Sequence, residues 1–338
     1  MPYSSNLSRR KFLSGVVATA LFRPAPEPAP PPAADPANLK LADIDRMMKE
    51  ISNWGRWGKD DQKGTVNLIT SAKRKQAIGL AREAMVISLA HAQDSRKAPD
   101  NVYPLVQDVY ATGDGAPGMG AGMDTYTMRY HGTYFTHMDA LCHMFYNGRT
   151  YNDHPQQIVS RAGASALDIT AFQEGIVTRG VLMDIPRLRG VPYLEPGAAI
   201  YPEDLDAWEK RAQLKVTSGD MVIIRTGRWA RRAAKGPWSL DTVAGIHATC
   251  ARWLKERDAA VLASDGISDV KPSRVEGLSD PIHKLVIVAL GMPMLDNCDL
   301  ENLSNTASRL RRWEFMVTAA PMVVPGGTGS PLNPLAIF

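Results

Sequence analysis

The 338-residue chain has few cysteines and no apolar segment of membrane-spanning length. Its three cysteines, Cys142, Cys250 and Cys298, are widely spaced and form no Cys-x-x-Cys pair, which argues against a disulfide framework or a zinc knuckle. The apolar run near the N-terminus covers only residues 12–22, whereas a bilayer span needs about 20 apolar residues. The sequence therefore predicts no membrane span.

The chain also lacks a Walker loop and a Gly-x-Gly-x-x-Gly fingerprint, so nothing in it predicts a nucleotide site. The glycine-rich stretch 325–331 has no phosphate-binding lysine, and we interpret it as a structural turn near a functional site. The net charge is only +4, and the basic residues at 228–235 are typical of a solvated helical face. No nucleic-acid partner is predicted. The hydrophobic fraction of 44% and the charged fraction of 22% are those of a globular protein.

The N-terminal segment has the features of an export signal. Arg9 and Arg10 precede a brief apolar run, which is the pattern of a twin-arginine signal, assigned to residues 1–23. A proline-rich linker follows at 24–38, where proline favours an extended backbone. These features predict a periplasmic protein whose functional domain is 39–338; the alternative interpretation is a basic tail without a targeting role.

Three histidines and one carboxylate fall within the segment 131–143, whose sequence is HGTYFTHMDALCH. If its core is a strand, His137 and Asp139 point to one face, because side chains alternate along a strand. An imidazole nitrogen and a carboxylate oxygen on one face can hold a divalent cation. His143 can return to that site if the chain bends. The alternative is a chance cluster of structural histidines. Around this motif, the periodicity predicts a strand over 125–130 and a helix over 240–256.

Several blocks of the sequence resemble the metal-dependent cyclase hydrolases, the family that includes bacterial kynurenine formamidase and isatin hydrolase. The segment 136–143 matches the second half of that family's motif H-x-G-T-H-x-D-x-x-x-H. Further matches lie at Ser264-Asp-Gly, at Pro281-Ile-His283 and at Gly291-Met-Pro-Met-Leu-Asp296. Trp54-Gly-Arg-Trp57-Gly and the block 326–334 resemble a longer branch of the family, and the resemblance covers residues 40–338.

The chain departs from the family pattern at two positions. The family's first histidine corresponds to Thr133, and the nearest histidine is His131. We therefore predict an irregular backbone between 131 and 136 that brings the His131 imidazole to the metal; the alternative is a water in that position. Asp296 stands where kynurenine formamidases carry glutamate, and its shorter side chain either ligates the metal or hydrogen-bonds a water.

The resemblance implies an α/β (α+β) fold of the swivelling β/β/α type, with a small barrel-like β core surrounded by helices. It implies a homodimer or homotetramer that hydrolyses a C–N bond of a small-molecule cyclic amide or formamide with Mn²⁺ or Zn²⁺. The implied metal ligands are His131, His137, Asp139 and Asp296.

The remaining roles are assigned to two histidines and two tryptophans. His143 is the expected general base, and His283 is a second catalytic residue that, with Asp296, positions a water or binds a second metal. Trp54 and Trp57 are either substrate-binding residues or core anchors.

Two other functions remain open at the level of sequence. The same metal site would serve a lactonase, a dehydratase or an isomerase. A periplasmic metal- or ligand-binding protein without catalysis is the other alternative, and His143 distinguishes it, because a binder has no need for an additional histidine beside a filled site.

Overall fold

The computed structural model describes residues 38–115, 118 and 120–338. The predicted export signal at 1–23, and the predicted linker at 24–38 except for its last residue, lie outside the described residues. Within the described part of the chain, no helix has both the length and the apolar character that a bilayer crossing requires.

The chain alternates short strands and helices. The strands are β1 Val86–Ser88, β2 Val106–Ala111, β3 Met123–Thr127, β4 His137–Asp139, β5 Val159–Ser160, β6 Gly163–Ala164, β7 Ile176–Asp184, β8 Ala199–Ile200, β9 Met221–Arg225, β10 Gly245–Ile246, β11 Val261–Ser264, β12 Met294–Asp296, β13 Glu314–Ala319, β14 Gly329–Pro331 and β15 Leu335–Ile337. The helices are α1 Leu41–Glu50, α2 Ser71–Ile78, α3 Ile185–Arg189, α4 Pro202–Ala212, α5 Arg228–Lys235, α6 Cys250–Glu256, α7 Pro281–His283 and α8 Glu301–Leu310. A π-helical segment, Lys284–Leu290, continues α7, and short 3₁₀ turns lie at Gly64–Leu68, Tyr151–Asp153, Gln156–Ile158 and Ile169–Phe172.

Among the described residues, one mixed sheet of nine strands organises the fold, in the order β1-β15-β13-β7-β9-β11-β12-β4-β14. Its central strands β7, β9, β11 and β12 are parallel, and the strands on both sides of them are antiparallel to their neighbours. The sheet curls into a half-barrel surrounded by helices, which confirms the predicted fold class.

The central strands are rich in apolar residues because both faces of the sheet are covered. Every residue of β9, with sequence MVIIR, and of β11, with sequence VLAS, is buried. In α4, Pro202 occupies the first turn, and the Asp204 carboxylate accepts a hydrogen bond from the Tyr201 N–H at 2.9 Å.

Two sequence-based boundaries were wrong. The strand expected at 125–130 ends at Thr127 as β3, and the helix expected at 240–256 begins only at Cys250 as α6. The segment before α6 instead pairs with distant backbone: the Ile246 N–H donates to the Ser268 carbonyl at 2.8 Å, and the His247 N–H donates to the Ile200 carbonyl at 2.9 Å. These tertiary hydrogen bonds outweigh a local helical preference, which is a weak determinant.

The segment 52–65 packs against the end of the π-helical segment that follows His283. The Trp54 indole donates to the Val288 carbonyl at 2.7 Å, and the Thr65 N–H donates to the Gly291 carbonyl at 2.9 Å. These bonds satisfy carbonyls that the end of a helix leaves without partners. Gly64 lies in the same contact with φ of +55°, and a Cβ there would lie 1.8 Å from the Gly291 oxygen.

We predict that Gly64→Ala lowers the free energy of unfolding by about 2 kcal/mol or more, because the left-handed conformation and the backbone clash act together. Gly55→Ala is the matched control: its φ is +76°, but a Cβ there meets no atom within 4 Å. The free energy of unfolding of the control should fall by only about 1 kcal/mol, the cost of the left-handed conformation alone. Urea denaturation measures both variants, and equal losses would contradict the close approach.

Candidate metal centre

One histidine and two aspartate side chains meet on one face of the sheet. His137 and Asp139 are alternate residues of β4 and therefore point the same way. β12 runs antiparallel to β4 and places Asp296 directly opposite His137. The side chains of these three residues are buried, and one ligand atom from each lies within 4.8 Å of the others. The strand geometry expected from the sequence is therefore present.

His131 reaches the same site through an irregular backbone. Residues 131–135 are a run of bends between β3 and β4 rather than a strand, as the sequence analysis predicted. His131 Nδ1 lies 2.9 Å from Asp139 Oδ1, and His131 Nε2 lies 3.0 Å from the Thr328 hydroxyl. The bend thus brings the imidazole to Asp139; its role as a ligand remains a prediction.

Two side chains from elsewhere in the fold hold this bend. The Asn297 amide donates to the Gly132 carbonyl at 2.8 Å and to the Phe135 carbonyl at 3.1 Å. The Arg228 guanidinium donates to the Thr133 carbonyl and, at 2.5 Å, to Asn297 Oδ1. These bonds pair backbone carbonyls of the bend that have no strand partner. They therefore stabilise the conformation that places His131 beside Asp139.

Gly329 of β14 leaves room for the His131 ring. A Cβ at position 329 would lie 2.7 Å from His131 Cε1 and 2.5 Å from the Met138 carbonyl oxygen. The neighbouring Thr328 supplies the hydroxyl that contacts His131 Nε2. The glycine-rich stretch expected to be a turn near the site is therefore in contact with a candidate ligand.

Hydrogen bonds define which nitrogen of His137 faces the site. Its Nδ1 donates to the Phe135 carbonyl at 2.8 Å, since a carbonyl oxygen can only accept. His137 Nε2 is consequently the nitrogen that faces the site, 3.4 Å from Asp139 Oδ1. A backbone carbonyl behind the distal nitrogen is a common way to orient a metal-ligating histidine.

The donor set fits a divalent cation. Both Asp139 carboxylate oxygens are buried without a hydrogen-bond donor, and His131 Nδ1, although 2.9 Å away, does not meet hydrogen-bond geometry with them. Burial raises the pKa of Asp139, but its interactions with His143, His137 and His131 outweigh burial and hold that pKa well below its usual range. An anionic carboxylate among imidazole nitrogens suits Zn²⁺ or Mn²⁺.

His143 borders the same carboxylate. Its Nε2 lies 3.8 Å from Asp139 Oδ1, and its ring stacks on that of His131 with centroids 4.0 Å apart. Burial lowers the pKa of His143 to about 4, so the ring is neutral near pH 7. A neutral imidazole here can accept a proton, and His131, Asp139 and His143 also form a second group with metal-ligand spacing.

His283 is oriented by a carboxylate that the sequence analysis missed. Its Nδ1 lies 2.5 Å from Asp269 Oδ2, and Asp269 Oδ1 accepts the Ile282 N–H at 2.7 Å. His283 Nε2 therefore faces the site, 3.2 Å from Asp296 Oδ2 and 3.7 Å from Asp139 Oδ2. Burial lowers the pKa of His283, but the two neighbouring carboxylates hold it well above its usual value. The one sequence signal for Asp269 is that it lies shortly after the Ser264-Asp-Gly block in the chain.

These side chains line a cleft of about 270 Å³. Its lining residues are His131, Gly132, Thr133, His137, Asp139, His143, Met144, Ile267, Asp269, Lys271, Asp280, His283 and Asp296. The structure does not bring Trp54 or Trp57 into this cleft. Trp54 bonds the π-helical segment, and Trp57 lies against the Arg56 guanidinium, 4.8 Å from its ring centroid. Their substrate-binding role remains a prediction without support from the cleft geometry.

The fold and the site define a mixed α/β protein with a histidine- and carboxylate-lined cleft suited to a divalent cation. The chain belongs to the Cyclase family, described as "Putative cyclase", whose model matches residues 87–269, more than half of the chain. This finding confirms the resemblance recognised in the sequence.

Solved structures share the fold. A crystal structure of a novel cyclase has a TM-score of 0.76 and 29% identity, covering 86% of this chain and 99% of that chain. Isatin hydrolase A from Ralstonia solanacearum has a TM-score of 0.54 and 23% identity, with 78% and 95% covered. Isatin hydrolase A from Labrenzia aggregata, bound to benzyl benzoate, has a TM-score of 0.54 and 22% identity, with 79% and 98% covered. A comparison with curated proteins finds no match.

We predict that Asn297→Asp weakens divalent-metal affinity about 10- to 100-fold, because it keeps the acceptor for Arg228 but removes both donors that hold the 132–135 bend. Competition with a fluorescent chelator measures the affinity. In a His131→Ala background the same substitution should add little, since the two changes act through one ligand. Fully additive losses would show that Asn297 does not act through His131.

Proposed function

We propose that the protein is a metal-dependent hydrolase that opens the C–N bond of a cyclic amide or formamide. The observation that carries this proposal is the Asp139 carboxylate, which is buried without a hydrogen-bond donor and surrounded by His131, His137 and His143. Membership of the Cyclase family and the fold shared with isatin hydrolases support a hydrolase.

His131 Nδ1, His137 Nε2 and Asp139 would hold the metal. Asp296 has metal-ligand spacing with His137 and Asp139, and His131 has it with Asp139 and His143. When bound, a divalent cation would supply Lewis-acid chemistry: it lowers the pKa of water, so that a nucleophile is available near neutral pH, and it polarises a carbonyl. Asp296 Oδ1 accepts the Ser268 hydroxyl at 2.7 Å, which fixes the carboxylate and leaves Oδ2 facing His283.

His143 would act as the general base. Its neutral Nε2 lies beside Asp139 and accepts the proton of the attacking water, then passes it to the leaving nitrogen. His283 would orient water or the substrate carbonyl through Nε2, because Asp269 occupies its Nδ1. Asp269 is accordingly a positioning residue. Water access is restricted by the burial of His137, Asp139 and Asp296.

Two variants should separate metal binding from turnover. Asp139→Asn, which keeps the shape but removes the charge, should abolish tight metal binding, since the central ligand is lost. His143→Ala should retain the metal and lose about 10²- to 10⁴-fold in turnover, as expected for a general base. Elemental analysis of the purified protein, together with a screen of cyclic amides, formamides and lactones, measures both properties.

Asp280→Asn is the matched control for Asp139→Asn, because Asp280 lines the same cleft but pairs with Lys284 at 3.4 Å. It should retain the metal. Full metal occupancy in Asp139→Asn would overturn the metal site, and a metal-free His143→Ala variant would make His143 a ligand and leave His283 as the base. Turnover of lactones alone would overturn the C–N assignment.

We also propose that the protein forms a homodimer or homotetramer. Strands β2 and β3 pair only with each other among the described strands, and they expose apolar side chains that a partner subunit would cover. Those side chains are Val106, Val109, Tyr110, Met123 and Tyr126. Sedimentation of the purified protein measures its assembly state.

Export by the twin-arginine route is a further part of the proposal, and it rests on Arg9 and Arg10. Replacing both by lysine should leave the folded precursor in the cytoplasm, because export depends on the arginine pair. Fractionation of cells into periplasm and cytoplasm measures the distribution. Replacing Lys11 by arginine should leave export unchanged. An unchanged periplasmic yield of the double variant would refute the signal.

A further inference from the structure

Each carboxylate that lines the cleft has a neighbouring or proposed cationic counterpart, whereas the lysine that lines it has no anionic one. Asp269 is bonded to His283, and Asp280 is paired with Lys284 at 3.4 Å. The two remaining carboxylates, Asp139 and Asp296, belong to the candidate metal centre, where a divalent cation would balance two negative charges. Lys271 is the only lysine or arginine among the lining residues, and its charge has no counterpart in this set.

The Lys271 ammonium has neither an ion pair nor a hydrogen bond within the described part of the chain, in contrast to Lys284, which contacts both Asp280 and the Met144 sulfur. The side chain is half-buried rather than fully solvated. An ammonium at the end of a half-buried side chain, without a protein partner, gains a charge-assisted hydrogen bond from an incoming anion.

The backbone of Lys271 is held on both sides. Its N–H donates to the Val243 carbonyl at 3.0 Å, and the Val243 N–H donates back at 3.0 Å. Asp269, two residues earlier, also lines the cleft and orients His283. The same backbone segment therefore presents Asp269 to His283 and Lys271 to the cleft, so the Lys271 side chain extends from a fixed backbone position beside the candidate metal centre.

We propose that Lys271 recognises an anionic group of the substrate, so that the preferred substrate is an amide or cyclic amide that carries a carboxylate apart from the bond that is cleaved. This inference rests on the proposed function and specifies its substrate class. The metal centre takes the amide carbonyl, and Lys271 takes the carboxylate. Arginine at this position would serve the same purpose, whereas an apolar side chain would not.

Benzohydroxamates provide a test that does not depend on turnover, because a hydroxamate group binds divalent metals. The probes are unsubstituted benzohydroxamate, its three derivatives with a ring carboxylate at position 2, 3 or 4, and their methyl esters. Isothermal titration with the Mn²⁺-loaded protein measures each affinity. The best acid should bind the wild type about 10- to 100-fold more tightly than its ester, as expected for a charge-assisted hydrogen bond.

Lys271→Met should remove this preference while leaving the ester and the unsubstituted compound within about twofold of their wild-type affinity. Lys271→Arg should restore the preference, which a merely structural role of the side chain would not do. An acid preference that survives in Lys271→Met, or the absence of any preference in the wild type, would overturn the inference. If unsubstituted benzohydroxamate binds in that case, the metal centre stands and only the substrate class is wrong. If it fails to bind, the proposed function fails as well.

Discussion

The site depends on one constraint, the burial of the Asp139 carboxylate without a hydrogen-bond donor. Taking a carboxylate out of water is costly unless the charge is paired. Here its neighbours are the imidazoles of His131, His137, His143 and His283, all within 3.8 Å of one of its oxygens. In the proposed function, a cation held by the carboxylate, His131 and His137 would balance this buried charge, with His143 and His283 beside it as the base and the orienting group.

The surrounding fold serves to hold those donors in place. β4 lies between β12 and β14, so that its three residues have partners on both sides and Asp296 is set opposite His137. Asn297, immediately after β12, holds the bend that carries His131, and Gly329 of β14 leaves room for its ring. His131 lies outside β4, so the geometry of that strand cannot place it. The residue that follows β12 and a residue of β14 position it instead.

The two catalytic candidates differ in how their surroundings prepare them. His143 has no carboxylate at its other nitrogen among the described contacts, and burial keeps it neutral, which suits acceptance of a proton. His283 is held by Asp269 and faces Asp296, which favours its protonated form and suits orientation of a substrate oxygen. The proposed anion contact at Lys271 adds a second point of attachment for substrate, so that the scissile bond is oriented relative to His143. Two-point binding of this kind lowers the entropic part of the barrier.

The sequence alone indicated the candidate metal ligands and, through a family resemblance, the fold class. Alternation along a strand placed His137 and Asp139 on one face, and the spacing of His131 required an irregular backbone, which the structure contains. These inferences succeed because they concern residues close together in the chain, where backbone geometry limits the outcome. The resemblance of several sequence blocks to a known family supplied the fold, which local patterns could not.

Only the tertiary structure decided which distant groups support the site. Asp269, Asn297, Arg228 and Gly329 come from separate elements, and no spacing in the sequence relates them to His131 or His283. The same limit explains the wrong helix over 240–249, where hydrogen bonds to Ile200 and Ser268 replace the local helical pattern. It also explains why Trp54 lies on the π-helical segment rather than in the cleft. Local sequence specifies which side chains can share a face, but contacts between elements far apart in the chain are set by the packing of the whole sheet.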